Sequence, residues 1–397
     1  MSAILENLKE WLQDRKQHLD LFDETKTSRL DNPLYTLGGL IWLSWIVVIV
    51  SGIFLMVWYV PTTTGAYRSI EHITYDIPLG WLARGMHKYG ADMLITCITL
   101  RIYRMYFAGE YKKPGELSWM ILFASLVLGM ISGITGYLLI WNQRAFWAAK
   151  TVLTVPTYYD EIPGFGNLGL GRAIAYIFLG GPAVGQATIT RFYAIHFGIS
   201  VLGVILAEVF FYRTRRRRLN LSPFVIALVV VFLGYLSFVR LTDMGRWANP
   251  NRTPLPILSD WYFLALYQVV KYMPPLWAGI APALLIGYGM VVPFLDRTKE
   301  TRPLERPFFF TVGVLALVYW IGFTALIMLN IAVIGRDPPI IMAITIVVMT
   351  LAFLWEIVHR RRKAQRRAAT AKTPPAPRLP TGVPPGQGGM GGATATT

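Results

Sequence analysis

Cysteine, histidine and acidic residues are the scarce components of this chain. Its 397 residues include one cysteine, Cys97, which excludes an internal disulfide and any cysteine-ligated cluster or zinc centre. Five histidines leave few candidates for imidazole chemistry. Charged residues make up only 15% against 54% apolar ones, which excludes a disordered chain and a secreted disulfide scaffold. Acidic residues number 22 against 38 basic ones, a net charge of +16. In a soluble domain that excess would suggest nucleic acid. Here the basic residues border long apolar runs, so they read as orientation signals and contacts for anionic lipid, with no nucleic-acid partner. No basic segment leads into a short apolar run with a small-residue cleavage site, so a cleaved signal peptide is not expected.

What is abundant is apolar sequence in lengths that match a bilayer core of about 30 Å. Eight spans are predicted, at 36–59, 82–106, 118–141, 190–212, 222–239, 278–295, 308–329 and 339–358, the second being the least purely apolar. Residues 1–35 are charged and place Ile4, Leu5, Leu8, Trp11, Leu12 and Leu19 at roughly helical spacing, which predicts an interfacial helix. The 142–188 connection is polar, Gly-rich and too long for a simple turn, and long ordered loops usually carry function. Basic clusters follow alternate spans: Lys112 and Lys113, then Arg213 with Arg215 to Arg218, then Arg297, Lys299, Arg302 and Arg306, then Arg360 to Lys363 with Arg366 and Arg367. All fall on one face, which the positive-inside rule makes cytoplasmic together with both termini. The plainer reading of these residues is topology alone. The predicted fold is an all-α integral membrane protein of eight transmembrane helices in the cytoplasmic membrane. It divides into an interfacial helix (1–35), a four-helix bundle (36–212), a C-terminal four-helix half (213–370) and a disordered Pro/Gly-rich tail (371–397).

His18, His72 and His359 lie outside the spans. His87 and His196 lie near the outer ends of the second and fourth spans. An ionisable residue inside a span is a functional hypothesis by default. Two neutral imidazoles facing each other across a bundle can hold haem iron from both sides. The alternative is a pair of imidazoles hydrogen-bonded to backbone carbonyls. Gly52 and Gly136 lie at a similar depth on spans one and three, where a glycine lets a flat macrocycle approach the backbone. Ordinary small-residue helix packing explains them equally. Arg84, three residues before His87, is a candidate partner for a haem propionate.

At this point the residues resemble a family. The strings are W-L-A-R-G-M-H-K-Y at 81–89, G-E-Y-K-K-P-G-E-L-S-W at 109–119, T-G-Y-L-L-I-W-N-Q at 135–143 and V-G-Q-A-T-I-T-R-F-Y-A-I-H at 184–196. In the second half, N-R-T-P-L-P-I-L-S-D-W-Y at 251–262 is followed by M-P-P. The chain looks like cytochrome b of quinol-oxidising Rieske complexes, especially the chloroplast and cyanobacterial type joined to its subunit IV. The similarity covers roughly residues 30 to 355. The resemblance implies a four-helix bundle around two stacked b haems. It also implies an outer quinol pocket and a Rieske iron–sulfur protein or a cytochrome c subunit as partner, with other membrane subunits and possible dimerisation of the complex. His87 and His196 match the ligands of the outer haem. Asp260 of S-D-W-Y stands where the family has Glu in P-E-W-Y, a carboxylate expected to accept a quinol proton, and Tyr262 closes the motif. Asp is one methylene shorter, which puts its reach in question. Without the resemblance, Asp260 reads as an interfacial loop carboxylate.

The chain departs from the family at the inner haem. Its second histidine pair should come fourteen residues after the first on span two and fourteen or fifteen after on span four. Fourteen residues make nearly four turns and a rise of about 21 Å on one face. Those positions hold Arg101, and Phe210 and Phe211. The second glycine of span three, fourteen before Gly136, is Leu122, while its span-one counterpart Gly38 is kept. The inner haem is therefore expected to be absent, its volume filled by Leu122, Phe210 and Phe211. Arg101 then pairs with Glu208, snorkels to the inner surface, or binds a lipid phosphate. Thr36 stands where photosynthetic relatives hold an extra haem through cysteine, and Cys97 reads as packing. The expected function is a cytochrome b-type subunit that oxidises quinol with a single outer b haem, so that an ordinary Q-cycle does not run through this chain alone. The alternative is a membrane anchor and quinone-docking scaffold of another redox complex, its haem a relay or structural plug.

Overall fold

The computed structural model describes residues 2–19, 33–164, 166–213, 221–253, 259–272, 274–328 and 338–372. Thirteen α-helices form among them: α1 (Ser2–Gln17), α2 (Leu37–Trp58), α3 (Ala66–Tyr75), α4 (Gly80–Ala108), α5 (Glu116–Leu139), α6 (Gln143–Thr154), α7 (Leu170–Leu179), α8 (Gln186–Arg213), α9 (Pro223–Val239), α10 (Trp261–Tyr272), α11 (Pro275–Leu295), α12 (Pro307–Met328) and α13 (Pro338–Lys372). The β pairing among the described residues is one isolated bridge, Asn142 with Trp247. The predicted spans appear as α2, α4, α5, α8, α9, α11, α12 and α13. Among them α2, α5, α11 and α12 are long and apolar enough to cross a bilayer by length and composition. The predicted N-terminal helix appears as α1, while residues 20–32, most of Arg213–Leu221 and the tail beyond Lys372 lie outside the described residues.

Local chemistry sets the helix ends. Pro223, Pro275, Pro307 and Pro338 open α9, α11, α12 and α13, where a missing N–H costs nothing and the ring fixes a helical φ. Ser222 caps α9 by accepting from the Val225 N–H at 3.2 Å, and Asn142 caps α6 by accepting from Ala145 at 2.8 Å. Gly109 stops α4 in the left-handed region at φ 67°. The Gly-rich 142–188 connection is itself mostly helical: α6, a 3₁₀ turn over Val155–Glu161, and α7.

Exposed Ile46, Val50, Ile53 and Val57 form a helical stripe on α2. The opposite face buries Ile41, Ser44, Val47, Val48 and Ser51. That is the pattern of a helix with lipid on one side and protein on the other, and the apolar face outward is stable only in hydrocarbon. Helix α4 is central. Gly85 lets it cross α9 so closely that a Cβ there would overlap Ser237. Leu43, Val47 and Leu233 pack beside that crossing. Trp119 of α5 donates from its indole to the Gly289 carbonyl of α11 at 2.6 Å. The two halves are thus packed into each other.

The end bearing the α4–α5 and α11–α12 connections is held by buried charge. Tyr111 donates to Asp296 at 2.6 Å, Lys112 pairs with Asp296 at 3.0 Å, and Arg306 donates to the Tyr111 hydroxyl at 2.6 Å and to the Tyr106 and Phe107 carbonyls. Burial pushes the Asp296 carboxyl up, but donors from Thr298, Tyr111 and Lys112 outweigh it and hold it below the usual carboxylate range. On the same end Arg15 of α1 grips Glu116, the first residue of α5, through two bonds of 2.9 and 3.0 Å.

Candidate functional site

His87 and His196 face each other between α4 and α8, with ring centroids 6.1 Å apart. Each ring is held by its Nδ1. In His87, Nδ1–H donates to the Val48 carbonyl of α2 at 2.9 Å, with Ser51 Oγ at 3.2 Å. In His196, Nδ1–H donates to the Ser132 carbonyl of α5 at 3.1 Å, with Thr135 Oγ1 also at 3.1 Å. A carbonyl on Nδ1 selects the tautomer whose Nε2 lone pair is free, and a second-shell acceptor of this kind orients a metal-ligating imidazole. The two readings of the histidine pair therefore coincide, because the carbonyl bonds occupy one nitrogen of each ring and leave the other.

The arrangement fits a haem iron held from both sides. Two metal–imidazole bonds of about 2 Å, with about 1 Å from each nitrogen to its ring centre, amount to roughly 6 Å between centroids. The walls are glycine. A Cβ at Gly136 would lie 2.7 Å from His196 Cε1, and one at Gly52 would lie 3.1 Å from His87 Cε1. Any larger residue at Gly136 displaces the ring it supports. Among the described residues no group of three or more His, Cys, Asp or Glu side chains comes together as a metal site.

Arg84, the candidate propionate partner, has two of its five N–H donors engaged within the protein. It is buried and donates to Thr74 Oγ1 and to the Asp243 carbonyl, both at 3.1 Å, tying α4 to α3 and to the segment after α9. Its guanidinium works as a clamp within the protein.

Asp260 and Tyr262 come to the same region from the other half of the chain. Asp260 precedes α10, its carboxylate 3.4 Å from Lys88 Nζ and 3.3 Å from the Tyr262 hydroxyl, which donates to it. Tyr262 is buried, its hydroxyl 2.8 Å from where a Cβ at Gly133 would stand. Two residues that the sequence reading passed over complete the cluster. Lys88 pairs with Asp92 one turn further along α4 at 2.9 Å, and the Trp261 indole donates to the same Asp92 oxygen at 3.2 Å. A lysine and an aspartate four apart within a span were the available signal, since intramembrane charge marks function.

The positions of the inner pair look different. Arg101 is 3% exposed and Leu122 5%, Leu122 packing with Ile41, Ile98 and Trp119. Arg101 is thus enclosed by protein. The ring of Trp45 on α2 reaches α8, where a Cβ at Gly203 would meet it at 3.2 Å. A cavity of about 150 Å³ remains, lined by Trp42, Trp45, Arg101, Leu122, Ser125 and Gly203 among others. A volume of that order takes a benzene-sized molecule. The side chains of Phe210, Phe211 and Glu208 lie outside the described residues, and with them the expected Arg101–Glu208 pair.

A family model described as "Cytochrome b/b6/petB" matches residues 22–218, and one described as "Cytochrome b(C-terminal)/b6/petD" matches residues 247–356. Cytochrome b6 of Porphyra purpurea is 32% identical over 218 residues, 53% of this chain and 96% of the relative. Cytochrome b6 of Chlamydomonas reinhardtii is 32% identical over 215 residues, with the same two coverages of 53% and 96%. Among solved structures, one titled "Hyperthermophilic respiratory Complex III" superposes with a TM-score of 0.68 at 22% identity, covering 83% of this chain and 91% of that one.

Proposed function

The chain belongs to the cytochrome b family, with its b6-like and subunit-IV-like parts on one polypeptide, and on that premise we propose a mono-haem, quinol-oxidising member. It is a cytochrome b6-like membrane subunit of a bc1/b6f-type electron-transport complex, and its family binds haem b. In the proposed form, His87 and His196 hold one b haem at the outer position and no second b haem sits at the level of Arg101, Leu122, Phe210 and Phe211. Residues 36–212 carry the haem and residues 213–370 carry the S-D-W-Y quinol motif.

The observation that carries the reading is the histidine pair: two rings 6.1 Å apart, each locked through Nδ1 to a carbonyl of a neighbouring helix. When bound, the haem supplies a one-electron acceptor beside the quinol pocket. The protein's own part is to fix both rings, to leave side-chain-free space at Gly52 and Gly136 beside them, and to present a base. Asp260 accepts a proton from a quinol hydroxyl, and Tyr262 orients the carboxylate by donating to it. Enclosure of Arg101 and the burial of Leu122 support the absence of the inner haem. Quinol gives up two electrons: either one would go by way of the haem to a partner's centre and the other to an outer-side acceptor, or both would leave on the outer side, and a Rieske iron–sulfur protein or a cytochrome c subunit is the partner the family suggests. The cytoplasmic membrane, with both termini inside, follows from the basic clusters.

Haem b per polypeptide, by pyridine haemochrome against amino-acid analysis, tests the proposal. One haem, lost in His87→Ala and in His196→Ala, is expected. Two haems overturn the reading of the inner positions, and none overturns the site. A haem-loaded complex that fails to oxidise quinol favours the scaffold alternative.

A further inference from the structure

The quinol reading leaves one charged pair unused. Lys88 stands between two carboxylates, 2.9 Å from Asp92 and 3.4 Å from Asp260. Asp92 sits thirteen positions into the 29-residue α4, near its middle, so the pair is well inside the helix that spans the membrane. Charge at such a depth is costly unless it is paired. Asp92 is also bound by the Trp261 indole, which fixes the first residue of α10 to α4 directly beside Asp260. Lys88 further lies over the Tyr262 ring at 5.8 Å.

We infer that Asp92 is a positioning residue of the quinol site, holding Lys88 in common with Asp260 so that the Asp260 carboxylate stays a competent proton acceptor. The inference rests on the quinol reading above. The charge arithmetic is simple. Two carboxylates and one ammonium carry a net charge of −1. Transfer of one proton from a quinol hydroxyl breaks an O–H bond on the substrate and makes one on Asp260, and the cluster becomes neutral with Lys88 still paired to Asp92. Without Asp92 the ammonium belongs to Asp260 alone. Protonating Asp260 would then leave the half-buried Lys88 ammonium without a carboxylate, and its partial removal from water opposes that state.

Four groups face Asp260 among the described residues. Lys88 and Asp92 come from α4, Tyr262 from α10, and Tyr137 from α5, the last with Arg144 of α6 over its ring at 5.3 Å. Tyr137 and Tyr262 are neutral hydroxyls under ordinary conditions. Among the described residues Lys88 is the cation paired with Asp260, and Asp92 is the group that decides how much of it Asp260 receives.

The test uses isolated membranes holding the full complex, with duroquinol as substrate and the rate of its oxidation followed against pH. Haem content and optical spectrum are the assembly control. Asp92→Asn keeps an acceptor for Trp261 and removes the charge. Its acid limb is expected to move to lower pH by about one unit, the usual size of one neighbouring charge, with a lower plateau rate. Asp92→Ser is a second neutral variant with the same expectation, should the amide not assemble. Asp92→Glu keeps the charge, so its acid limb should stay near the wild-type position. A haem-loaded Asp92→Asn or Asp92→Ser complex whose limb and plateau match wild type overturns the inference. Asp260→Asn separates the two claims: wild-type rates in that variant overturn the quinol reading itself, whereas their loss with an unmoved Asp92→Asn limb removes only the role of Asp92.

Discussion

Replacing Gly136 by alanine isolates the α5 wall of the histidine site. The added Cβ would stand 2.7 Å from His196 Cε1. Carbon atoms prefer about 3.5–4.0 Å, so the ring must retreat by about 1 Å. Its Nδ1 bonds to Ser132 and Thr135 are 3.1 Å long, and such a retreat takes them out of hydrogen-bond range. Losing one bond costs about 1 kcal/mol, and the swung Nε2 loses aim toward its partner ring. A total of about 1–2 kcal/mol weakens haem binding by roughly 5–30-fold. Helix propensity works the other way, since alanine in a helix interior is favoured over glycine by about 1 kcal/mol. Loss of haem therefore reports the steric contact and not a weakened helix. Gly52→Ala is the internal control: its Cβ would lie 3.1 Å from His87 Cε1, and a few tenths of an ångström of ring movement relieves it. Haem b per polypeptide, measured with thermal melting in detergent, should fall strongly in Gly136→Ala and little in Gly52→Ala. Full haem content with an unchanged spectrum in Gly136→Ala, or greater damage in Gly52→Ala, would refute the reasoning.

Three further outcomes follow from the polar contacts. Asp296→Asn leaves Lys112 and Arg306 without their carboxylate and should cost about 3–5 kcal/mol of stability, read as a lowered midpoint of thermal unfolding. Because the Asp296 carboxyl is held below its ordinary value, its contribution is complete above about pH 4 and is lost as pH falls through the folded-state value; a melting temperature flat across that range would contradict this. Glu116→Gln should release α1, seen as faster amide exchange across Ser2–Gln17 with haem content unchanged, and unchanged exchange would show that the Arg15 pair does not hold the helix. Arg84→Lys should lower the unfolding midpoint by removing one of the bonds to Thr74 and Asp243 while leaving the haem midpoint potential in place, whereas a large potential shift would return Arg84 to a propionate.

The eight spans were legible because a bilayer imposes one demand, about twenty consecutive apolar residues, that hydropathy measures directly. Short helices were not. The α6 and α7 segments of the 142–188 connection and α10 after the S-D-W-Y string begin or end on Asn142, Gly180 and Asp260, whose roles depend on what lies beside them. Arg84 shows the same limit within the site. Three residues from His87, it is well placed for a propionate by spacing, but spacing does not show that two of its five donors bond Thr74 and the Asp243 carbonyl from beyond α9.

Sequence by itself determined the membrane architecture, the two histidines and the substitutions at the inner haem, because each is a matter of residue type at a helical interval. Only the tertiary structure decided what each side chain touches. It put Val48 and Ser132 on the two Nδ1 atoms, placed Lys88 between Asp92 and Asp260, and enclosed Arg101 within the bundle. Those partners lie on different helices, and the crossing of those helices is set by packing over the whole bundle, which no local stretch of sequence encodes.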